Sequence, residues 1–265
     1  MGEYMKNSKK LSIGIMGNGV VGSTLLSWFP EALCYDVDVS RRKNEINELE
    51  EKAEYIIIAV PTPFDLKKGE FDPSYVNEAI EQFSSSKVFI IKSTCVPGTT
   101  DWLQKKYPQH TFLINPEFLT EKTAQHDFLH PDMQILGYTE KSKHLAERVL
   151  AVLPKAPVSE IVPAKVAEAV KYFRNCFYAT KVVFANQFYD FCEKTGIDYD
   201  KVKDIVQYDK MIGSNHLDIF HQGGRGAGGK CLAKDLSAFT ILSNLPLFVA
   251  TNKLNREYLK LSEKS

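Results

Sequence analysis

A glycine turn between an apolar strand and an apolar helix is the feature that most constrains the fold of this chain. Residues 11–16 are predicted to form the strand, and the helix is predicted to follow the turn and to extend to Phe29. Between them the chain reads Gly17-Asn18-Gly19-Val20-Val21-Gly22. In this context the Gly-x-Gly-x-x-Gly spacing permits a tight turn, close approach of a pyrophosphate and close helix–strand packing. These six residues are therefore predicted to bind a dinucleotide, with its phosphates at the helix N-terminus.

The preferred dinucleotide is predicted from the end of the next strand, residues 33–37. Asp36 lies fourteen residues after Gly22, where a carboxylate accepts a hydrogen bond from a ribose 2′-hydroxyl. This favours NAD over NADP. Two alternatives remain open: Asp38 replaces Asp36 in that role, or Arg41 and Arg42 accommodate a 2′-phosphate.

Strands and helices are predicted to alternate through the first 155 residues. Further strands are expected at 55–60, 88–92, 112–114 and 133–136, and helices at 41–52, 73–83 and 141–153. The run Tyr-Ile-Ile-Ile-Ala-Val at 55–60 has no polar residue, which is typical of a parallel strand covered on both faces. The pattern predicts an α/β fold with a Rossmann-like, doubly wound parallel sheet over residues 11–158, after a flexible tail at 1–10.

Residues 159–265 are predicted to form an all-helical domain. A helix is expected over 164–195, with Gly196 as its stop, followed by helices at 199–207, 232–245 and 247–261. An aromatic series on the long helix is expected to pack in the core: Tyr172, Phe173, Phe177 and Phe184. The long helix has more apolar surface than about 100 residues readily cover, so we expect a homodimer.

Composition excludes several classes of partner. Lys and Arg total 33 and Asp and Glu total 33, which gives no indication of a nucleic-acid partner. No apolar run is long enough to span a membrane, and residues 1–10 lack the apolar segment of a secretory signal. The five cysteines are widely spaced without a CxxC pair, which argues against disulfides or structural zinc and for the reducing cytoplasm. Four are expected to be core residues: Cys34, Cys95, Cys176 and Cys192.

The fifth cysteine, Cys231, follows a segment with five glycines in seven residues, 223–229. Glycines let a backbone approach a ligand closely. Lys230 and Lys234 flank the thiol and would lower its pKa, so Cys231 is a candidate nucleophile. The alternative is a glycine-rich turn with an ordinary buried cysteine.

From the glycine turn to its C-terminus, the chain resembles the UDP-glucose/GDP-mannose dehydrogenase family. The segments that carry the resemblance keep one order over about 220 residues: Val60-Pro61-Thr62-Pro63, residues 69–76, Lys92-Ser93-Thr94-Cys95-Val96-Pro97-Gly98-Thr99, Asn115-Pro116-Glu117-Phe118-Leu119-Thr120-Glu121, Ala167-Glu168 with Lys171 and Asn175, residues 186–193, and Gly228-Gly229-Lys230-Cys231-Leu232-Ala233-Lys234-Asp235. The family's helical domain is a dimerisation domain similar to that of 6-phosphogluconate dehydrogenase.

The resemblance implies oxidation of the 6-hydroxymethyl group of a nucleotide sugar to a carboxylate, with two hydrides passed to two NAD⁺. The implied catalytic roles are the nucleophile Cys231, the oxyanion-stabilising Lys171 and Asn175, the water-positioning Asp235 and Thr94, and the hydrolytic carboxylate Glu117. The implied cofactor contacts, besides the glycine turn and Asp36, are Pro61, Thr62, Thr94, Glu121 and Lys234. A thioester intermediate needs a thiol, an oxyanion donor and a base, which agrees with these residue types.

The same residues also have structural interpretations. Lys171 is an ordinary solvated charge in that case, and Asn175 an inter-helix hydrogen-bond partner. Glu117 would interact with a helix dipole, and Asp235 would cap the following helix.

The chain departs from the family in three places. The interval from Asp36 to Tyr55 is short, so we expect a sheet one strand smaller. Met211 stands where the family has an arginine that reaches a neighbouring subunit, and Leu232-Ala233 replaces Phe-Pro. The family also continues into a second Rossmann-like domain for the nucleotide, which we expect to be missing here. In that case affinity for the nucleotide sugar falls, the substrate differs, or a partner supplies the domain.

Three functions follow from these observations. The first is an NAD-dependent nucleotide-sugar dehydrogenase. The second is a non-catalytic NAD-binding scaffold derived from that family. The third is a smaller-substrate dehydrogenase of the 3-hydroxyacid type, which would not need Cys231.

Overall fold

The computed structural model describes residues 11–65, 70–220, 224–229 and 231–262. The described residues divide into two compact units, one of 11–63 with 71–171 and the other of 64–65 and 70 with 172–262. This division falls inside one long helix, whereas the sequence suggests a boundary at 158/159. The helix contributes residues to both units, so the division into compact units and the boundary suggested by the sequence fall at different points of the chain. The domain boundaries stay a prediction.

The first unit is built on a seven-stranded sheet. Its strands are β1 (Ile13–Met16), β2 (Leu33–Tyr35), β3 (Tyr55–Ile58), β6 (Val88–Ile91), β7 (Thr111–Ile114), β8 (Met133–Tyr138) and β9 (Val158–Pro163). Its helices are α1 (Val20–Trp28), α2 (Ile46–Lys52), α3 (Ser74–Glu81), α4 (Thr99–Lys106), α5 (Ala124–Leu129) and α6 (Ala146–Leu150). Strands β4 (Phe64–Asp65) and β5 (Glu70–Phe71) form a separate two-stranded sheet.

The strand order in the large sheet is β2-β1-β3-β6-β7-β8-β9. The first five strands are parallel, β8 is antiparallel to β7, and β9 is parallel to β8. The predicted α/β fold is confirmed, with the correction that the last two strands run against the others. Strand β9 is missing from the sequence analysis because half-exposed and exposed residues such as Val158 give no apolar run.

Alternate residues of the central strands pack into two cores, one on each face of the sheet. Ile56 and Ile58 of β3 lie in one core with side chains of α2, α3 and α4. Tyr55 and Ile57 lie in the other with side chains of α1, α5 and α6. This two-sided burial explains the uninterrupted apolar run of β3.

The sheet ends at β2, whose outer edge is closed by the loop that follows it. The backbone N–H of Cys34 donates to Asn44 Oδ1 at 3.0 Å, and the Cys34 carbonyl accepts from the N–H groups of Lys43 and Asn44. Between β2 and β3, where every residue is described, the only regular element is α2. The helix predicted at 41–52 therefore begins only at Ile46, because residues 43–44 form hydrogen bonds to β2.

The second unit consists mainly of helices. They are the end of α7 (Ala164–Thr195), α8 (Tyr199–Val206), α9 (Leu232–Ser243) and α10 (Pro246–Ser262). Tyr172 is buried as expected, but the prediction of core packing is wrong for Phe173, Phe177 and Phe184, whose side chains are 75%, 52% and 66% exposed. Within the described part of the chain, no helix has the length and apolarity needed to cross a membrane.

Candidate functional site

The glycine turn after β1 holds its shape through close backbone contacts. Gly17 has a φ of +97°, and a Cβ there would lie 2.6 Å from the Ala59 carbonyl oxygen. A Cβ on Gly22 would lie 1.9 Å from the Gly17 carbonyl oxygen. A side chain at Gly17 would thus clash with the backbone that follows β3, and one at Gly22 would force the turn and α1 apart.

The middle glycine faces open space instead. A Cβ on Gly19 would meet no atom within 4 Å, and Gly19 is the N-cap of α1 without a side chain to cap its N–H groups. The first turn of α1 therefore presents backbone donors and the positive end of the helix dipole to this space. A dinucleotide pyrophosphate fits these donors, and the residues that would hold it are Gly17 to Gly22.

Asp36 lies against this turn, whereas Asp38 does not. Asp36 Oδ2 accepts from the Asn18 N–H at 2.6 Å, and Oδ1 accepts from the Asp38 N–H. The carboxylate of Asp38 accepts a hydrogen bond from the Ser40 hydroxyl, and its hydrogen bonds with Ser40 lower the pKa of Asp38. The geometry supports Asp36 as the ribose ligand, a role that stays a prediction.

Arg42 is already engaged by protein groups. Its guanidinium pairs with Glu45 at 3.1 Å and lies 4.6 Å from the centre of the Tyr35 ring. Arg41 pairs with Asp38 at the surface. The alternative of a 2′-phosphate ligand would require Arg42 to exchange these partners.

The other predicted cofactor residues of this unit follow different strands at the same edge of the sheet. Thr62, beyond β3, donates its hydroxyl to the Thr94 carbonyl beyond β6 at 2.6 Å. Pro61 is exposed, and Glu121 is exposed at the start of a short 3₁₀ helix. Because the carboxyl ends of parallel strands share one edge, the fold brings Thr62 and Thr94 together on the side of the glycine turn.

A buried ion pair lies at this edge beyond β7. Lys171 is 3% exposed and donates from Nζ to Glu117 Oε1 at 2.8 Å. Burial opposes ionisation of Glu117, but Lys171, the Leu119 N–H and Lys92 outweigh it, so the pKa of Glu117 is lowered. The solvated-charge interpretation of Lys171 is therefore wrong, and Glu117 is an ionised carboxylate.

Lys92 is a charged group that the sequence analysis leaves without a role. Its side chain is 3% exposed at the end of β6, and Nζ donates to Asn115 Oδ1 at 2.7 Å. The only signal in the sequence is a lysine that follows a buried strand, which is common at strand ends.

The second unit contains a buried pair between α7 and α9. Asn175 Nδ2 donates to Asp235 Oδ2 at 2.6 Å, and Asp235 is 1% exposed. Lys234 Nζ lies 3.1 Å from Asp235 Oδ1. Asn175 therefore makes the inter-helix hydrogen bond of its structural interpretation, which leaves its second amide hydrogen for the catalytic role. On α7 it lies four residues after Lys171, on the same face of the helix.

Cys231 differs from the other four cysteines, which are buried. Burial raises the pKa of Cys34 to about 11, and burial together with Asp235 raises that of Cys176 to about 12. Cys231 is exposed and is the N-cap residue of α9, where the helix dipole favours a thiolate. The structure thus contradicts the buried-cysteine interpretation. Lys230, which is predicted to lower the pKa of this thiol, lies outside the described residues.

The segment before Cys231 is fixed by two side chains. Arg225 donates to Asp190 Oδ1 at 2.6 Å and to Asn186 Oδ1 at 2.9 Å on α7. Asn255 of α10 accepts from the Ala227 N–H at 2.7 Å and donates to the Ala227 carbonyl. These contacts hold the glycine-rich segment to two helices, and sequence reasoning missed both residues because their partners are distant in the chain.

Comparison with known proteins identifies the family. Residues 37–153 match the NAD-binding domain and residues 165–256 the central domain of the UDP-glucose/GDP-mannose dehydrogenase family. The chain belongs to this family. The predicted resemblance is thereby confirmed, and the match to an NAD-binding domain supports NAD as the cofactor.

Individual relatives agree with this assignment. A UDP-glucose 6-dehydrogenase of Rickettsia felis is 36% identical over 75% of this chain and 45% of its own length. One from Streptococcus pneumoniae is 29% identical over 94% of this chain and 74% of its own. The solved UDP-glucose dehydrogenase of Pyrobaculum islandicum has a TM-score of 0.83 at 26% identity, covering 97% of this chain and 69% of that one. The chain spans about half the length of the Rickettsia relatives.

Proposed function

We propose that the protein is an NAD-dependent dehydrogenase that oxidises the 6-hydroxymethyl group of a UDP- or GDP-linked sugar to a carboxylate. The observation that carries the proposal is the placement of Cys231 as an exposed thiol at the N-cap of α9. Relatives of the chain include UDP-glucose 6-dehydrogenases, so UDP-glucose is the first substrate to test.

The chemistry requires two oxidations. Bound NAD⁺ supplies a hydride acceptor for each of them. In the first, the alcohol loses a hydride and a proton and becomes an aldehyde. The thiolate of Cys231 then adds to the aldehyde carbon, and the resulting thiohemiacetal alkoxide loses a second hydride to give a thioester. Water cleaves the thioester, which releases the carboxylate and restores the thiol.

The side chains of this chain have separate tasks in these steps. Lys171 and the second N–H of the Asn175 amide stabilise the oxyanion formed at the aldehyde oxygen. Glu117, ionised through its contact with Lys171, takes a proton from the attacking water. Asp235 and Thr94 position that water, Lys234 and Glu121 contact the cofactor, and the glycine turn with Asp36 binds its adenosine half.

A substitution at Cys231 tests the proposal. NADH formation by the whole protein is measured with UDP-glucose, other nucleotide sugars, free sugars and hydroxyacids. Cys231→Ser is expected to abolish acid formation or to leave a slow ester, while NAD binding persists. The buried Cys192→Ser serves as the matched control, with an effect on stability at most.

Two outcomes would contradict the proposal. A Cys231→Ser variant that forms acid at the full rate would exclude the thiohemiacetal. If no substrate is turned over and native Cys231 resists alkylation, the non-catalytic scaffold is favoured.

We also propose that the protein is a homodimer through α7. Five exposed phenylalanines lie within about 60° of arc on this helix at 100° per residue: Phe173, Phe177, Phe184, Phe188 and Phe191. The stripe is aromatic along a length of about 27 Å at 1.5 Å per residue. A second copy presents the same stripe and can cover it in a two-fold arrangement. A strictly monomeric mass by light scattering at tens of micromolar would contradict the dimer.

The cytoplasm is the proposed location. The five cysteines are widely spaced in the sequence and none forms a CxxC pair. Such usage is typical of proteins kept in a reducing compartment. Export of the protein with oxidised cysteines would contradict this location.

A further inference from the structure

Lys92 is a buried titratable group to which the proposed mechanism gives no task. Its ammonium lies at the end of β6 and donates a hydrogen bond to Asn115 Oδ1 at 2.7 Å. It lies 5.5 Å from the centre of the Phe128 ring. A buried ammonium is costly unless other groups compensate it. The question is what the protein gains from a lysine here.

Asn115 is held so that its oxygen faces Lys92. It is fully buried, and its Nδ2 donates to the Ile135 carbonyl at 2.8 Å and to Gln134 Oε1 at 3.1 Å. Both amide hydrogens are thereby used, which leaves Oδ1 for the lysine. Asn115 begins the turn that carries Glu117 two residues later, so Lys92 fixes one end of that turn.

The charges of this cluster are unequal. Two buried lysines, Lys92 and Lys171, act electrostatically on one carboxylate, Glu117, which forms its ion pair with Lys171. Burial, and secondarily Lys171, lower the pKa of Lys92 to about 8, while Glu117 opposes the shift. Asn115 and Phe128, the other groups facing Lys92, are neutral. Lys92 in turn helps to lower the pKa of Glu117.

We propose that Lys92 is a positioning residue that fixes the Asn115–Glu117 turn and whose positive charge helps to hold the Glu117 carboxylate in place. The catalytic consequence rests on the proposed function, because it assigns the base role to Glu117. When Lys92 loses its proton, the cluster becomes neutral and Glu117 loses one of its two compensating cations. Because the carboxylate is then held less firmly in its position, turnover has an alkaline limit set by Lys92.

The first experiment measures the coupling without any turnover. Lysines labelled with ¹³C at Cε are titrated by NMR, and the Lys92 signal is assigned by its loss in Lys92→Met. We expect its midpoint near pH 8, moved down by at least half a pH unit in Glu117→Gln. A midpoint near the ordinary value of about 10.4, or no change in Glu117→Gln, would overturn the proposal. The titration is measured with Lys92 in place, and Lys92→Met is needed only to assign the signal; Lys92→Gln provides the same assignment if the Met variant does not fold.

The second experiment measures the pH profile of NADH formation with UDP-glucose. Lys92→Met is expected to lower kcat/KM at least tenfold at pH 7 and to remove the alkaline limb near pH 8. Lys92→Gln retains a hydrogen-bond donor for Asn115 but has no charge. It should therefore recover the stability that Lys92→Met loses, while the alkaline limb of its pH profile stays absent. In the Glu117→Gln background, Lys92→Met should cause no further loss. An unchanged alkaline limb in Lys92→Gln would overturn the proposal.

Lys87 provides a matched control at the other end of β6. It is also buried, and its Nζ donates to the Ala53 carbonyl at 2.8 Å. Lys87→Met should reduce stability and leave the pH profile unchanged. If no sugar is oxidised but the NMR coupling is found, the proposed function fails while the electrostatic role of Lys92 is supported. If turnover occurs and the coupling is absent, only the role of Lys92 is rejected.

Discussion

The two ends of strand β6 each carry a buried lysine, and the two lysines have different surroundings. At the amino end, Lys87 donates to the carbonyls of Glu50 and Ala53, and the Glu50 carboxylate lies 3.6 Å from its Nζ. At the carboxyl end, Lys92 contacts one side-chain oxygen and shares the charge of Glu117 with a second lysine. The first lysine is matched by its partners, whereas the second belongs to a cluster with an excess positive charge.

This contrast separates stability from function along one sheet. Glu50 accepts from the Ser84 hydroxyl and from the Ser85 N–H, both at 2.8 Å, which ties α2 to the loop before β6. Parallel sheets bind ligands beyond the carboxyl ends of their strands, where Glu117 and the glycine turn lie. We infer that charge at the amino end stabilises the fold and that charge at the carboxyl end prepares the site.

The strongest test compares one carboxylate from each end. Glu117→Gln is expected to lower kcat/KM for the nucleotide sugar by about 10²–10⁴-fold, the usual contribution of a general base. Gln retains an acceptor for Lys171, so the fold should persist. The measurement is the rate of NADH formation, with the free energy of unfolding determined in parallel.

The matched variant at the amino end is Glu50→Gln, which should lose about 1–3 kcal/mol of unfolding free energy and keep its rate. Burial opposes ionisation of Glu50, but Ser84, Ser85 and Lys87 outweigh it and lower its pKa to about 2. Its stabilisation is therefore present above about pH 4.5 and is lost as the pH falls towards 2. Equal losses of rate in both variants would break the comparison.

The glycine turn offers a second pair of variants. Gly22→Ala places a Cβ 1.9 Å from a backbone oxygen, so it should destabilise the fold by about 3 kcal/mol. Gly19→Ala meets nothing in the protein and should leave the melting temperature unchanged while weakening NAD⁺ binding. Calorimetric titration and thermal unfolding distinguish the two, and undiminished NAD⁺ affinity in Gly19→Ala would contradict the assigned pyrophosphate site.

Lys92 should also make stability depend on pH. Its folded pKa of about 8 lies below the unfolded value, so between these values the unfolded chain binds more protons and stability rises with pH. The stability of the wild type relative to Lys92→Met should increase by about 1.5 kcal/mol from pH 8 to 9.5, because the slope rises from half of its full value of about 1.4 kcal/mol per pH unit at the folded pKa. Denaturant unfolding at each pH measures this difference, and a constant value would show that Lys92 titrates outside this range.

The smallest expected effect concerns Asp36. Asp36→Ala should weaken NAD⁺ binding by about 1–2 kcal/mol through lost hydrogen bonds to a charged group. Asp38→Ala is the matched control, because Asp38 faces Ser40 rather than the glycine turn. A larger loss of affinity in Asp38→Ala would assign the ribose to Asp38.

Local patterns in the sequence predict most of the first unit. The glycine turn, the apolar strands and the 32-residue helix α7 follow from short-range periodicity, and the structure has them within a few residues. The sequence analysis does not predict helix α4, because Thr99–Lys106 is mostly polar and gives no apolar periodicity. The helix predicted at 141–153 is present only as a short 3₁₀ turn followed by α6. The reversed direction of β8 and β9 depends on pairing between strands, which periodicity does not encode.

The electrostatics of the site could not be predicted from periodicity. The partner of the buried Lys171 is Glu117, which lies 54 residues earlier in the chain. Conversely, the phenylalanines of α7 have the composition of a core helix but lie exposed, since apolar residues alone do not specify what covers them. Cys231 is the opposite case, because the unusual run of glycines before it singles out this thiol among the five by local sequence alone.

The closed edge of β2 has a consequence for how the protein behaves in a crowded solution. An open strand edge is a template on which other chains add strands and begin to aggregate. Here the Asn44 side chain and the backbone of Lys43 and Asn44 occupy the donor and acceptor of Cys34 that would otherwise recruit another strand. A few loop residues thereby take the place of a neighbouring strand at this edge of the sheet.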